Sequence, residues 1–150
     1  DLAQWMVWPS QFKTSEDLHK FIHYSLHQYA EGKALVTAVM FHNSFVGVVG
    51  FNRIRMDVQS AEIGYWLVPP LRGKGVAYAA CSRLIQFGFT DLGLTKVQAA
   101  VAVQNQASRH LCDCLGFVQE GTITQAERLN GRIIDHAIYG LRRVSAEASA

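Results

Sequence analysis

The stretch A-E-I-G-Y-W-L-V-P-P-L-R-G-K-G-V-A, residues 61–77, decides the fold of this chain. Its first part, residues 61–68, is rich in apolar and aromatic side chains and predicts a β-strand. Pro69 and Pro70 end that strand, because proline cannot donate a hydrogen bond to the ladder. Residues 76–91 then carry apolar and small side chains at helical spacing. Residues 71–77 therefore form a loop between a strand and the start of a helix.

This loop has the composition of an anion-binding turn. Gly73 and Gly75 let backbone N–H groups point into a concave loop, and the dipole of the following helix favours negative charge there. The P-loop pattern G-x-x-x-x-G-K-[ST] is absent. The dinucleotide fingerprint G-x-G-x-x-G/A fails because Tyr78 stands at its third small position. The pattern alone leaves two interpretations open, a diphosphate site and an ordinary tight turn.

The rest of the chain predicts a sheet with helices around it. The cap signal T-S-E-D at residues 14–17 begins a helix that Gly32 ends. Hairpin turns are predicted at residues 42–44 and 130–131, and residues 1–12 are aromatic and irregular. Strands are predicted at residues 35–41, 46–54, 61–68, 96–103, 117–124 and 133–141, and further helices at 76–91 and 106–115. The fold class is therefore α/β (α+β) around one sheet, and we expect a single domain over residues 1–150 because no linker or repeat interrupts it.

Composition and charge exclude several classes of protein. The net charge is +2, and the basic residues are scattered rather than gathered in the dense stripe of a nucleic-acid-binding protein. No apolar run approaches the roughly 20 residues that cross a bilayer, and residues 1–10 lack the pattern of a secretion signal. The three cysteines form no disulfide framework and are typical of reduced thiols. We expect a cytoplasmic protein without a direct nucleic-acid or membrane partner.

Two patterns resemble metal sites, and we set both aside. His19, His23 and His27 recur every four residues, a spacing that zinc sites use, but no acidic or cysteine partner accompanies them at ligand spacing. A polar helix face is the simpler interpretation. Cys112 and Cys114 are one residue closer than the usual zinc turn, and on a helix their side chains point about 200° apart. We therefore expect no metal.

Four segments of the sequence resemble the GNAT superfamily of acetyltransferases. They are A-E-I-G-Y-W-L-V-P before the loop, R-G-K-G-V-A within it, and N-Q-A-S and L-G-F-V-Q-E-G after the next strand. The family's loop motif, [QR]-x-x-G-x-[GA], is met by Arg72, Gly75 and Ala77. Within the superfamily, these segments look like the branch that acetylates ribosomal protein N-termini. The segment Q-A-E-R-L-N-G at residues 125–131, with Tyr139, also looks like the subgroup that modifies the N-terminal serine of a ribosomal stalk protein. The resemblance implies a mixed, mostly antiparallel sheet flanked by helices, here without the family's usual first strand and helix.

The resemblance also implies acetyl-CoA as the co-substrate. Its pyrophosphate would lie on the backbone amides of Arg72 to Ala77, while the side chains of Arg72 and Lys74 either contact phosphates or remain solvated. Its pantetheine arm would pair with the backbone of Trp66 to Val68, where the family's strands splay apart, and the side-chain amide of Asn105 would hydrogen-bond that arm. The cofactor-binding residues so implied are Trp66, Leu67, Val68, Arg72, Gly73, Lys74, Gly75, Val76, Ala77, Asn105 and Ser108.

Direct attack of an amine on the thioester needs an acid and a base. By resemblance, Ser108 would donate a proton or hydrogen bond to the leaving sulfur; without the resemblance, Asn and Ser at a helix start are ordinary caps. Glu127 is our first candidate for the base, Glu62 the second and Glu120 the third. The alternative for each is a solvated surface carboxylate.

The predicted function is therefore acetyl transfer to the N-terminal α-amine of a protein, a ribosomal protein by resemblance. A small amine, such as a polyamine, an aminoglycoside or an amino acid, is an alternative acceptor. A non-catalytic CoA-binding role is the third hypothesis. A homodimer is compatible with each of these readings.

Overall fold

The computed structural model describes residues 15–144, which form six strands and three helices. In chain order these are α1 (Ser15–Ala30), β1 (Leu35–Phe41), β2 (Ser44–Arg55), β3 (Ser60–Leu67), α2 (Val76–Thr90), β4 (Lys96–Ala102), α3 (Gln106–Cys114), β5 (Val118–Leu129) and β6 (Arg132–Arg142). The strands form one sheet in the order β1-β2-β3-β4-β6-β5, antiparallel except for the β3–β4 pair. This confirms the predicted mixed, mostly antiparallel sheet.

The ends of the chain lie outside the described residues. The predicted irregular region at residues 1–12 and the Thr14 part of the cap signal are among them. A single domain over residues 1–150 therefore stays a prediction. No helix within residues 15–144 combines the length and the apolar character needed to cross a membrane.

The first hairpin follows directly from its turn residues. His42 and Asn43 have φ angles of +50° and +63° and connect Phe41 to Ser44, which pair across the ladder. Two consecutive residues with positive φ twist the chain in the same sense as the strands that they join. The observed bounds of β1, Leu35–Phe41, match the predicted ones.

The fifth strand is longer than predicted. We expected residues 117–124, whereas β5 spans Val118–Leu129. The ladder with β6 is interrupted between Ile123 and Glu127 and then resumes toward the hairpin turn. Gln125 lies in the interruption with a φ of +52°, and its N–H donates to Asp135 Oδ1 at 2.8 Å. Because this bulge interrupts the alternation of side chains, the sequence pattern predicted that the strand ends at residue 124. The segment that contains Glu127 in fact belongs to β5.

The hydrophobic core lies on one face of the sheet, which we call the first face. Alternation places Phe51, Ile63 and Val97 there, and all three are buried. Helices α2 and α3 contribute buried side chains to the same core cluster, among them Leu84 and Cys112. The opposite, second face carries the intervening residues of the same strands. Because α2 and α3 lead away from β3 and β4, the core fixes both helix starts beside the ends of these strands.

Candidate functional site

Strands β3 and β4 separate after a short ladder. They pair only at Ser60–Glu62 with Lys96–Gln98. Beyond this point β3 remains paired with β2 and β4 with β6, but within residues 15–144 no ladder joins β3 to β4. We call the opening between residues 63–67 and 99–102 the strand gap. Backbone groups that face such a gap can pair with an extended, amide-rich ligand.

The ladder to β2 decides which backbone groups face the strand gap. The N–H of Val68 donates to Val46 O at 2.8 Å, and the carbonyl of Val68 accepts from Leu71 N at 3.1 Å. In an antiparallel pair, successive residues point their backbone groups to opposite sides. The backbone N–H and C=O of Trp66 therefore also point toward β2, and those of Leu67 point toward the gap. Of the three residues predicted to pair with an extended ligand through their backbone, Trp66, Leu67 and Val68, only Leu67 directs its backbone groups into the gap.

The glycine loop, residues 71–77, follows the end of β3. Gly73 and Gly75 have φ angles of +76° and +77°, a left-handed conformation that L side chains rarely adopt. Gly75 is the N-cap of α2 and provides no side-chain cap. Within the described part of the chain, the N–H groups of residues 73–77 have no backbone acceptor. They form an open cradle of donors at a helix start, which suits a diphosphate.

The backbone amide of Arg72, at the edge of this cradle, is already hydrogen-bonded, contrary to the sequence-based prediction that it binds the pyrophosphate. The amide of Arg72 donates to Pro69 O at 3.1 Å, because Pro69–Leu71 forms a 3₁₀ turn that the sequence pattern did not predict. The Arg72 amide is thus engaged, and its exposed guanidinium is the group left to contact an anion. Lys74 is exposed in the same loop. The donor set therefore begins at Gly73.

The start of α3 faces the other side of the strand gap. Asn105 is the N-cap, and its Oδ1 accepts from Ser108 N at 3.2 Å. Of the two residues considered as helix caps, Asn105 and Ser108, it is therefore Asn105 whose side chain caps α3. The hydroxyl of Ser108 lies 3.1 Å from the hydroxyl of Tyr65 on β3. Both side chains are partly buried, so a hydroxyl pair lies between the strand and the helix that border the gap.

Arg109 fixes the first turn of α3 to the sheet. Its Nη1 donates to Val103 O at 3.0 Å, its Nε to the hydroxyl of Tyr139 at 3.0 Å and its Nη2 to Gln119 Oε1 at 3.1 Å. These acceptors lie directly after β4, on β6 and on β5. A planar guanidinium that binds acceptors on three segments restricts where the preceding residue, Ser108, can lie.

Carboxylates lie on the second face of the sheet. Glu127 Oε2 is 3.0 Å from His136 Nε2, and both side chains are partly buried. Glu62 belongs to the last ladder pair before the strand gap and is half-buried. Alternation puts Glu62 on the opposite face from Tyr65, and the β4–β6 register puts His136 on the face of Glu62. The hydroxyl pair therefore lies on the first face at the gap, whereas Glu62 and the Glu127–His136 pair lie on the second face, the pair on β5 and β6 beyond β4.

Other carboxylates are engaged by cations. Glu120, our third candidate for the base, lies 2.8 Å from Lys96 Nζ. Asp57 lies 2.9 Å from Arg55, whose hydrogen bond holds the pKa of that carboxyl below its usual range. Both of these carboxylates are therefore paired with basic side chains.

The histidines and cysteines of residues 15–144 do not form a metal-ligand cluster. His27 lies 2.9 Å from Glu31 on the exposed side of α1. Burial raises the pKa of Cys81 to about 12 and that of Cys112 to about 11, so both thiols stay protonated at neutral pH. Cys114 is exposed, with Sγ 3.5 Å from His110 Nε2.

Three residues of this arrangement were not singled out from the sequence: Tyr65, Arg109 and His136. The two-residue turn at Asn130-Gly131 offered a signal for His136, because it pairs Glu127 with Ile134 and leaves His136 as the diagonal neighbour on the same face. No comparable signal exists for Tyr65, whose partner is 43 positions away.

Comparison with known proteins agrees with this geometry. The family model described as an acetyltransferase (GNAT) domain matches residues 1–118. The putative ribosomal N-acetyltransferase YdaF of Bacillus subtilis is 32% identical over 76% of this chain, which spans 62% of that protein. The ribosomal-protein-serine acetyltransferase of Escherichia coli is 30% identical over 92% of this chain and 77% of its own length. The spermidine N(1)-acetyltransferase of Vibrio cholerae is 29% identical over 89% of this chain and 75% of its own length.

A solved structure has the same fold and contains coenzyme A. It is RimL, the ribosomal L7/L12 alpha-N-protein acetyltransferase, and it matches with a TM-score of 0.91 at 28% identity, over 94% of this chain and 80% of that one. The family model covers well over half of the present sequence. This chain belongs to the GNAT acetyltransferase family.

Proposed function

We propose that the chain transfers the acetyl group of acetyl-CoA to the N-terminal α-amine of a protein, with a ribosomal protein as the acceptor. The observation that carries the proposal is the position of the strand gap. It opens between the glycine loop at the end of β3 and the first turn of α3 after β4. A ligand with a diphosphate at one end and an extended amide arm fits this arrangement, with its far end near Ser108. The similarity to RimL, which was solved with coenzyme A, supports the same ligand.

The backbone of the chain provides most of the contacts to that ligand. The N–H groups of residues 73–77 bind the pyrophosphate, and the exposed side chains of Arg72 and Lys74 add positive charge beside it. The backbone of Leu67 pairs with an amide of the extended arm, as a neighbouring strand would. Asn105 adds its side-chain amide at the mouth of the gap. These groups hold the thioester in one orientation relative to the acceptor.

Acetyl-CoA supplies a thioester whose leaving thiol has a reference pKa of about 8.5. The hydroxyl of Ser108 donates a hydrogen bond to the departing sulfur and so stabilises its negative charge. Asn105, rather than Ser108, caps the helix, so the hydroxyl of Ser108 is not used to satisfy the helix start. This division of roles supports Ser108 as the group that meets the sulfur.

Glu127 is the proposed base on the second face. An α-amine with a pKa of about 8 loses its proton at pH 7 at a cost of only about 1.4 kcal/mol, whereas a lysine side chain costs about 4.6 kcal/mol. A carboxylate acting directly or through one water meets the smaller demand. His136 holds that carboxylate at 3.0 Å. Glu62, at the last ladder pair, is the second candidate for the same role.

A small cationic amine is the second candidate acceptor, because the spermidine acetyltransferase of Vibrio cholerae is a relative of similar identity. A polycation is attracted by several unpaired carboxylates. Here Asp57 and Glu120 each have a basic partner within 3 Å, at 2.9 Å and 2.8 Å. Asp57 lies in the β2–β3 turn and Glu120 beside Lys96 at the start of β4, so neither adds negative charge at the strand gap, where a polyamine would need it more than a peptide with one neutral amine.

Thiol release from acetyl-CoA tests the proposal. We expect release with a peptide that begins with serine, and none above background with the same peptide blocked at its N-terminus. Spermidine serves as the small-amine comparison at equal concentration. Faster release with spermidine than with the free peptide would assign the chain to the small-amine class, and no release with any amine would overturn the enzyme assignment.

The thiols of the chain itself set the background of this assay. Cys81 and Cys112 are buried and protonated, so they react slowly with a thiol reagent, whereas Cys114 is exposed. A Cys114→Ser variant removes that signal. Its turnover should equal that of the unsubstituted chain.

A further inference from the structure

The hydroxyl groups of Tyr65 and Ser108 form a hydrogen-bonded pair across the strand gap. Tyr65 lies on β3 beyond Glu62, where β3 has already separated from β4. Ser108 lies in the first turn of α3, which follows β4. Their oxygens are 3.1 Å apart. This hydrogen bond therefore bridges the two walls of the strand gap at the end where the thioester is proposed to lie.

The direction of this hydrogen bond decides where the proton of Ser108 points. Each hydroxyl has one proton, and either oxygen can accept. If Ser108 donates to Tyr65, its proton is not available to a sulfur in the gap. If Tyr65 donates to Ser108, the proton of Ser108 is free to turn toward the gap. The phenol is the more acidic of the two groups and therefore the better donor.

The surroundings of Tyr65 favour the neutral, donating phenol. Burial raises the pKa of Tyr65 above its usual value, and the hydrogen bond with Ser108 opposes that effect only in part. The other titratable groups that act on Tyr65 are the thiols of Cys81 and Cys112 and the guanidinium of Arg72. Both thiols stay protonated at neutral pH, so neither provides an anionic acceptor that would compete for the phenolic proton.

We propose that Tyr65 is a positioning residue: its hydroxyl donates to Ser108 Oγ and directs the proton of Ser108 toward the sulfur of the thioester. The inference rests on the acetyl transfer proposed above. In that reaction the amine nitrogen forms the C–N bond, the C–S bond breaks, and the sulfur leaves with the electron pair. The proton that the amine loses balances the charge of the thiolate through solvent. Tyr65 keeps its own proton throughout.

A double-mutant cycle tests this role. Tyr65→Phe retains the ring and removes only the hydroxyl, so we expect kcat to fall roughly tenfold, the range expected for one hydrogen bond. Ser108→Ala should lower kcat about a hundredfold. Because Tyr65 acts through Ser108, Tyr65→Phe should cause no further loss in the Ser108→Ala background. The KM for acetyl-CoA and the dissociation constant of CoA should stay within about twofold of the unsubstituted values in the Tyr65→Phe variant.

Tyr24→Phe, on the exposed side of α1, is the matched control and should leave kcat unchanged. The denaturation midpoint of Tyr65→Phe should remain near that of the unsubstituted chain, which separates a catalytic effect from misfolding. Unchanged kcat in Tyr65→Phe, or an equal loss with and without Ser108, would overturn the inference and leave the proposed function in place. If the unsubstituted chain turns over no amine, the proposed function fails and the inference fails with it.

Discussion

The two sides of the strand gap are built in different ways. On the side proposed for the cofactor, the main elements are backbone: the donors of residues 73–77, the positive φ of Gly73 and Gly75, and the edge at Leu67, which has no partner strand toward β4 within residues 15–144. On the side proposed for the acceptor, the candidate groups are side chains, Glu127 on β5 and His136 on β6, which lie 3.0 Å apart. A backbone site depends on a few consecutive residues. A side-chain site depends on how distant segments are aligned, so it can change while the fold stays the same.

The largest expected effect is at the backbone site. Gly75→Val places a β-branched residue at a φ of +77° and projects its side chain into the open cradle. Losing two charge-assisted hydrogen bonds should weaken CoA binding by at least about a hundredfold. Calorimetric titration with CoA measures this loss.

Gly131→Val provides the matched control. Gly131 also has a φ of +77° and open space where a Cβ would lie, but it is in the β5–β6 turn. Both variants should lose similar folding stability, and only Gly75→Val should lose CoA affinity. Equal affinity in the two variants would remove the glycine loop from the binding site.

On the acceptor side, we expect a substitution to cause a smaller loss of kcat/KM, and we expect that loss to depend on pH. Glu127→Gln should lower kcat/KM for a serine peptide about tenfold at pH 7, because deprotonating an α-amine costs only about 1.4 kcal/mol there. Above the pKa of the amine, near pH 8, the peptide is already neutral and the loss should shrink. A pH profile from 6 to 9 measures this change. A greater loss in Glu62→Gln, with the same pH trend, would transfer the role of base to Glu62.

The smallest effect is expected at His136. His136→Ala should lower kcat/KM about threefold, because the carboxylate of Glu127 loses one hydrogen-bond partner but remains in place. The same substitution at His110, on the exposed side of α3, is the control. A loss that persists in the Glu127→Gln background would mean that His136 acts independently of Glu127.

The same contrast explains what the sequence predicted and what it missed. The glycine loop and the bounds of β1 were predicted because Gly, Pro and alternating apolar residues act over a few positions. The longer β5 was missed because the bulge around Gln125 interrupts the alternation. The engaged amide of Arg72 was missed because the 3₁₀ turn of Pro69–Leu71 has no distinctive pattern.

Sequence patterns could not predict the contacts between residues that are far apart in the chain. The hydroxyl pair joins residues 43 positions apart, and the three acceptors of Arg109 belong to segments fixed only by packing of the sheet. Ser108 and Asn105 were predicted together, but their division of labour appears only in the geometry of the cap. The sequence could therefore indicate the cofactor side in detail and the acceptor side only as a set of candidate carboxylates.

The most direct test of the central claim locates the transferred acetyl group. The acceptor is a peptide with an N-terminal serine and one internal lysine, incubated with acetyl-CoA and the chain, and fragmented in a mass spectrometer. We expect one acetyl group on the α-nitrogen and none on the lysine side chain, because the α-amine costs much less free energy to deprotonate at neutral pH. An acetyl group on the lysine, or no mass shift although CoA binds, would contradict it.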